Sequence, residues 1–558
     1  TPFHAMRPPL MRFWQSVLPA LALLVLALPS GNARGAAQNE TLTILEPGPP
    51  DTLNPLLTRT AAGADATAGV FDSLVRIDAT GTFTPDLAMS WSRSVDARIW
   101  TFVLNPRARW QDGEPVTAND VAFTIRLVRD SRFGAVATRG FDLITSVTVS
   151  GTDTLTVTLS AAFAPFLATV GTTPILPEHL LGAIPPDQIR SYAPFNRRPV
   201  GSGPFAVLSF SSDGRVVEDA NPDYFGAAPH LSRLVIAPAA SRQAALAAAR
   251  SDTATLLPPS FALTPAEADP FTGTLPARVL YTPSFAWTHL DLIEHGALAS
   301  IVVRRALALA TPRDTIIDQA LRGHGRIADG DQAPGTPAYE PALHNSYHYD
   351  IRAARRLLQQ AGFVPANDGT MMTRPITGTP SLPFVVHLWG DAACLTCATT
   401  LRLVAAGWKA AGVKTVIHLI PTAQLFGPRG PLYNPYRFQS TEYDAVLFAW
   451  VNGPDPDDTI YWSRSAIVTA TNPLGGNFSG YANAAFDALA TRALITPNGP
   501  GRYALYRRIQ HILTADAAAV FLYWADRVSI APVRLQGYDP TPYDAAVTWN
   551  VAQWSLRS

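Results

Sequence analysis

Trp110-Gln-Asp-Gly-Glu-Pro-Val-Thr-Ala-Asn-Asp-Val-Ala-Phe123 holds a turn and a helix start in one short run. Asp112-Gly113 is a turn pair in which Gly supplies the positive φ that a hairpin needs. Thr117 then stands at the N-cap of a helix that opens at Ala118 and leads on to Val128. Asn119 and Asp120 therefore read as helix-capping residues and not as catalytic acids. Working outward, residues 100–104 (Trp-Thr-Phe-Val-Leu) and 155–159 (Leu-Thr-Val-Thr-Leu) alternate apolar and polar side chains as strands do. Residues 41–45 (Thr-Leu-Thr-Ile-Leu) alternate in the same way and run into the turn cluster Glu46-Pro-Gly-Pro-Pro50. Apolar residues recur at helical spacing over 301–321 and 351–358. Pro-rich loops interrupt every region, as at Pro185-Pro186, Pro258-Pro259 and 334–341. No repeat and no obvious linker divides the chain, which reads as α/β of mixed topology.

The chain has 558 residues, enough for two or more domains around a large buried core. A hydrophobic fraction of 47% with 15% charged residues excludes intrinsic disorder. Basic and acidic side chains balance at 43 each, so the cationic excess of a nucleic-acid binder is missing. The 49 prolines are dispersed without period, which excludes collagen.

Met11-Arg12 precedes an apolar run over 17–28, and small residues follow it up to Ala37. This pattern predicts a secretory signal peptide with an upstream extension, residues 1–37, cleaved after Ala33 or Ala37. The run is shorter than the roughly 20 residues of a spanning helix. From Gln38 onward the chain carries 40 bases against 43 acids. The only cysteines, Cys394 and Cys397, form a C-x-x-C pair. A redox motif or half of a metal site would use that spacing, but there is no second pair. A local structural disulfide in an oxidising compartment is expected instead. No Cys lies near the end of the expected signal peptide, so no lipid anchor is expected and the predicted location is periplasmic.

The order of the segments carries a family resemblance. Residues 41–55, the segment Phe83-Thr-Pro-Asp-Leu-Ala-Met-Ser-Trp91 and the stretch over 110–123 resemble the peptide-binding family of extracellular solute-binding proteins, family 5. So do Ile175-Leu-Pro-Glu-His-Leu180, Pro199-Val-Gly-Ser-Gly-Pro-Phe205, Asn221-Pro-Asp-Tyr-Phe225, Val303-Arg-Arg-Ala-Leu307, residues 354–363 and Tyr481-Ala-Asn-Ala-Ala-Phe-Asp487. The matches follow the family's order from 41 to roughly 530. The resemblance implies a type II periplasmic-binding-protein-like fold, two lobes joined by a hinge plus an extra inserted domain. Lobe I would combine 41–74, 200–285 and 525–558, the extra domain 75–199, and lobe II 286–524. It implies capture of a peptide or peptide-like polar solute for an ABC importer, with the permease and ATPase subunits as partners. A monomer without cofactor is expected. A receptor or chaperone-like protein on the same scaffold, a binder of oligosaccharides or metal complexes, and a cryptic hydrolase are the alternatives.

For the hydrolase, no G-x-S-x-G elbow, H-E-x-x-H or Walker loop is present, so no enzyme is expected. Gly201-Ser-Gly203 lacks the Lys and the length of a phosphate-cradling loop and reads as a chain reversal. His344 with His348, and His289 with His295, are spaced for a metal but read as isolated histidines. Asp455-Pro-Asp-Asp458 lacks the alternation of a calcium loop. By resemblance, ligand would be gripped between Thr58-Arg59-Thr60 and the segment Trp450-Val451-Asn452 with Asp455. Trp450 would give a flat wall or pack in the core; Trp462 reads as core. Family members that bind free peptides place an Asp about three residues after this Trp, to pair with the ammonium. Gly453 stands there in this chain. Either Asp455 takes over from a shifted place, or no free α-amine is recognised.

Overall fold

The computed structural model describes residues 40–558, apart from 274–275, 375–379, 435–436, 438–441, 544–545 and 558. The expected signal peptide lies outside the described residues. Among the described residues no helix is long and apolar enough to cross a membrane.

Alternation at Thr41–Glu46 becomes a strand with every second side chain buried. It is parallel to Arg233–Pro238 and to Thr255–Leu256 in a five-stranded sheet, which Val216–Ala220 and Phe205–Phe210 complete in antiparallel fashion. The strands Ala88–Arg93, Ile99–Leu104, Thr154–Leu159 and Ile144–Ser150 form an antiparallel four-stranded sheet. A mixed six-stranded sheet has the order Gly325–Ile327, Ala519–Ala525, Ala286–Leu292, Ala445–Val451, Val385–Asp391, Lys414–Ile420. The first and last of these sheets belong to the two lobes. The four-stranded sheet belongs to the segment expected as an extra domain, yet it shares one continuous core with the first lobe. Leu42, Ile44 and Phe205 join Phe102, Leu104 and Ile125 there.

The chain passes between the first lobe and the six-stranded sheet twice, side by side. Ala277–Thr282 pairs antiparallel with Arg527–Pro532, and beyond residues 283–285 and Asp526 the same two segments pair again as Ala286–Leu292 and Ala519–Ala525. Helical periodicity over 301–321 is realised as two helices, Ile301–Leu309 and Arg313–Ala320. Pro312 between them lacks the N–H that would continue the first helix.

The fold-deciding stretch is tied to a second motif through Gln111. Its Nε2 donates to the Phe205 carbonyl at 2.7 Å, and its Oε1 accepts from the Gly201 amide at 2.9 Å. Asp120 caps as expected, its carboxylate accepting from the Thr117 amide at 2.8 Å and also from the Glu178 amide at 2.8 Å. Gly113 takes φ 95°, the positive value its turn requires. The chain bends at 202–204, where a reversal is expected, and the two glycines serve it by close approach. Neither has positive φ; both let the chain approach Val70, whose carbonyl accepts from the Gly203 amide at 2.8 Å. A Cβ on Gly201 would lie 1.9 Å from the Val70 carbonyl oxygen.

Gly201→Ala should therefore destabilise the protein by about 3 kcal/mol or more through forced backbone displacement. Gly501→Ala, where a Cβ meets nothing within 4 Å, should be near neutral. Urea midpoints of the two variants test this, and equal midpoints would refute the close-approach reading.

Candidate functional site

A cavity of about 560 Å³ lies where the two crossings meet the lobes. Its first-lobe wall comes from the Ala61–Ala68 helix (Ala61, Asp65), from Pro259 and Ser260, from Arg527, and from Tyr543, Ala546 and Val547. The opposite wall is Ser284-Phe285-Ala286 at one crossing and Val451-Asn452-Gly453-Pro454 after the Ala445–Val451 strand. A recess of about 90 Å³ adjoins it, sharing Phe285, Asn452, Gly453, Pro454 and Tyr543, and reaching Thr80, Gly81 and Phe83. Phe285 and Tyr543 meet edge to face at 4.8 Å where the two compartments join.

Of the residues expected to grip ligand, Val451 and Asn452 line the cavity and Asp455 lines the recess. Val451 is 66% exposed. Asn452 is held at both ends: its Oδ1 accepts from Trp287 Nε1 at 2.9 Å, and its Nδ2 donates to the Asp331 carbonyl. Trp450 lines neither compartment. It stacks on Phe478 at 5.4 Å and packs against Tyr461 at 4.8 Å within the second lobe. Trp462 is 1% exposed and donates to Asp331 Oδ2 at 2.8 Å.

Thr58, Arg59 and Thr60 do not line either compartment, and an acid outside the motif holds all three. Asp51 accepts from the Thr58 hydroxyl at 2.6 Å, from the Arg59 amide at 2.9 Å and from the Thr60 hydroxyl at 3.1 Å. Thr60 also caps the Ala61–Ala68 helix, accepting from the Gly63 amide at 3.1 Å. The Thr60 hydroxyl thus starts the helix that carries Asp65, and the Thr58 hydroxyl is held by Asp51.

Asp455 is likewise engaged. Both its oxygens accept from Arg502, at 2.7 Å each, and the Arg502 side chain is fully buried. Two further acids stand behind this loop, Asp331 and Asp458, both 0% exposed. Burial raises Asp331 to about 6, and burial with the charge of Asp331 pushes Asp458 well above the usual carboxylate range. Across the loop, Arg139 forms an ion pair with Asp457 and donates to the Thr459 hydroxyl at 2.9 Å.

The spaced histidines have separate partners. His289 is fully buried and held neutral, its pKa lowered to about 3 by burial. His295 Nε2 lies 3.1 Å from the Tyr443 carbonyl oxygen, and His344 is 3.4 Å from Asp329. Cys394 and Cys397 are joined by a disulfide at the start of the Cys397–Ala410 helix, their Cα atoms 5.4 Å apart.

Residues 82–468 match the model of the bacterial extracellular solute-binding proteins, family 5, middle region. The chain belongs to this family. It is 27% identical over 484 residues to a putative ABC transporter peptide-binding protein of Brucella melitensis, covering 84% of this chain and 85% of that one. Among solved structures, the oligopeptide-binding protein AppA of Bacillus subtilis, in complex with a nonapeptide, superposes with a TM-score of 0.74 at 21% identity, covering 93% of this chain and 99% of the other. NikZ of Campylobacter jejuni, in complex with Ni(L-His), does so with a TM-score of 0.74 at 22% identity, covering 93% and 100%. Both likenesses show the two-lobed fold. The family is one of binding proteins and not of enzymes.

Two buried acids near the cavity that the sequence did not single out are Asp65 and Glu46. Glu46 falls on the same face of its strand as Leu42 and Ile44, so alternation alone marks a carboxylate on a buried face. Asp65 is the sole charge of an Ala-rich helix.

Two outcomes are expected. Asp455→Asn leaves a buried guanidinium without its counter-charge and should lower stability by about 3–5 kcal/mol in urea melts. Weakened ligand binding at unchanged stability would show instead that Asp455 serves the ligand. The second concerns pH. Asp331 and Asp458 have raised folded pKa values, so they bind more protons folded than unfolded. The stabilising contribution of each is complete below the unfolded value of 3.8; that of Asp331 is lost as pH rises through about 6, and that of Asp458 is lost well above the usual carboxylate range. The fall in urea midpoint from pH 5 to pH 8 should be smaller for Asp458→Asn than for the unsubstituted protein; equal falls would contradict it.

Proposed function

We propose that this protein is the periplasmic substrate-binding component of an ABC importer, capturing a peptide or peptide-like polar solute between two closing lobes and delivering it to the permease and ATPase subunits. The observation that carries this reading is the cavity at the double crossing, with one wall from each lobe. Its volume of about 560 Å³ lies within the roughly 300–1,000 Å³ of small-ligand sites. Membership of family 5 supports the transport role, and the peptide-binding name of the Brucella relative supports the solute class. The NikZ complex keeps a metal chelate as the second reading.

The finer assignments belong to the same proposal. Lobe I is 41–74, 200–285 and 525–558, the added segment is 75–199, and lobe II is 286–524. Residues 1–37 direct export and are removed, no lipid anchors the mature chain, and it works as a monomer. The two crossings act as the hinge, with 75–199 moving as part of lobe I because the two share a core.

Native mass spectrometry of protein purified from its own periplasm should find a peptide or peptide-like solute in the cleft. Small-angle scattering after ligand removal and re-addition should give a smaller radius of gyration with ligand. A co-purifying metal chelate or oligosaccharide would overturn the solute class, and an increase in radius would overturn closure.

A further inference from the structure

We infer that the second lobe carries a binding site for a small multivalent oxyanion, one with several phosphate or carboxylate groups, in a cationic hollow away from the solute cavity. The hollow has a volume of about 640 Å³ and shares no lining residue with that cavity or its recess. Arg355, Arg402, Lys409 and Lys414 line it against a single acid, Asp368. Lys409 and Lys414 are the only lysines of the chain. From Gln38 onward acids outnumber bases, so a hollow with this balance is unlike the protein as a whole.

Its construction follows from the elements around it. On the Cys397–Ala410 helix, Arg402, Ala405, Ala406 and Lys409 are spaced three and four apart and share one face. The two alanines leave room between the cations. Lys414 opens the Lys414–Ile420 strand, at the edge of the six-stranded sheet. Arg355 comes from the Ile351–Gln360 helix, and Asp368 from the turn between the paired segments Val364–Pro365 and Met371–Met372.

A helix end accounts for one of these cations and not for four. The carbonyl end of a helix favours positive charge, and Arg355 answers it, its Nε donating to the Ala410 carbonyl at 3.0 Å. Arg402 donates to the Ala398 carbonyl at 3.2 Å and to the Thr399 hydroxyl at 3.0 Å within its own helix. These bonds fix both guanidinium groups without using up their five N–H donors. Among the described residues the ammonium groups of Lys409 and Lys414 form no hydrogen bond or ion pair. Asp368 is employed in its turn, accepting from the Thr370 amide at 2.9 Å. Four like charges around one hollow repel one another, and a bound anion relieves that repulsion. The arginine forks suit phosphate or carboxylate oxygens, and the lysines adjust to whatever oxygens remain. A single small anion cannot reach all four groups across such a volume, which is that of a small-molecule site of roughly 300–1,000 Å³.

Calorimetry of the mature protein at pH 7 and low ionic strength tests this with sodium tripolyphosphate. One ion should bind per protein, and Lys409→Gln with Lys414→Gln should weaken it about tenfold or more. Arg93→Gln with Arg107→Gln changes the net charge equally at two exposed positions elsewhere and should leave binding unchanged. Two further arms identify the source of the anion. Citrate presents carboxylates; vesicles of phosphatidylglycerol, against phosphatidylcholine, present phosphates on a lipid surface. Each upholds the site where the lysine pair, and not the arginine pair, removes its binding. No binding of any of the three, an equal loss in both double variants, or binding that survives replacement of both lysines would overturn the proposal. The transported solute takes no part in this test, so its failure leaves the transport reading standing.

Discussion

The paired strands at the double crossing are the constraint on which the remaining structure depends. Ala277–Thr282 and Arg527–Pro532 are hydrogen-bonded on one side, and their continuations Ala286–Leu292 and Ala519–Ala525 are hydrogen-bonded on the other. Two segments far apart in sequence are thereby forced to leave one lobe and enter the other at the same place. The cavity opens beside that place because a sheet cannot continue through the break at 283–285 and Asp526. Its walls are the chain ends that the break exposes.

The cores on either side differ in how they are shared. The first-lobe sheet and the four-stranded sheet bury their apolar faces in one cluster, stapled by Gln111 to the Gly201–Phe205 segment. The six-stranded sheet has separate clusters on its own faces, one around Trp408 and Leu388, another around Trp287, Trp462 and Trp524. Apolar burial of this size is worth roughly 25 cal/mol per Å². Each body thus has a core of its own, while only the two paired crossings join them.

Charge is distributed around the cleft according to what each group must support. Arg502 and Asp455 neutralise each other beneath the second-lobe loop, and Asn452 spans from Trp287 to the Asp331 carbonyl, fixing that loop. The polar groups that resemble ligand contacts on lobe II thus also carry hydrogen bonds of its scaffold. On lobe I, Glu46 accepts from Ser260 and Asp65 accepts from the Val547 amide, so these acids too are tied to the scaffold.

The sequence by itself determined the family, the α/β class and most of the local elements. Strand alternation, the Thr117–Asp120 cap and the Asp112-Gly113 turn are fixed by neighbours a few residues away, so they are legible in one dimension. Trp462 as core and the short reach of the cysteine pair were legible for the same reason. Which partner each polar residue around the cleft takes was decided by the tertiary structure alone. Thr58 and Thr60 turn to Asp51, Asp455 turns to Arg502 from 47 residues away, and Val547 fixes Asp65 from 482 residues away. A side chain's hydrogen-bonding capacity is limited, and the partner that takes it is set by distance in space, which the order of residues does not encode locally.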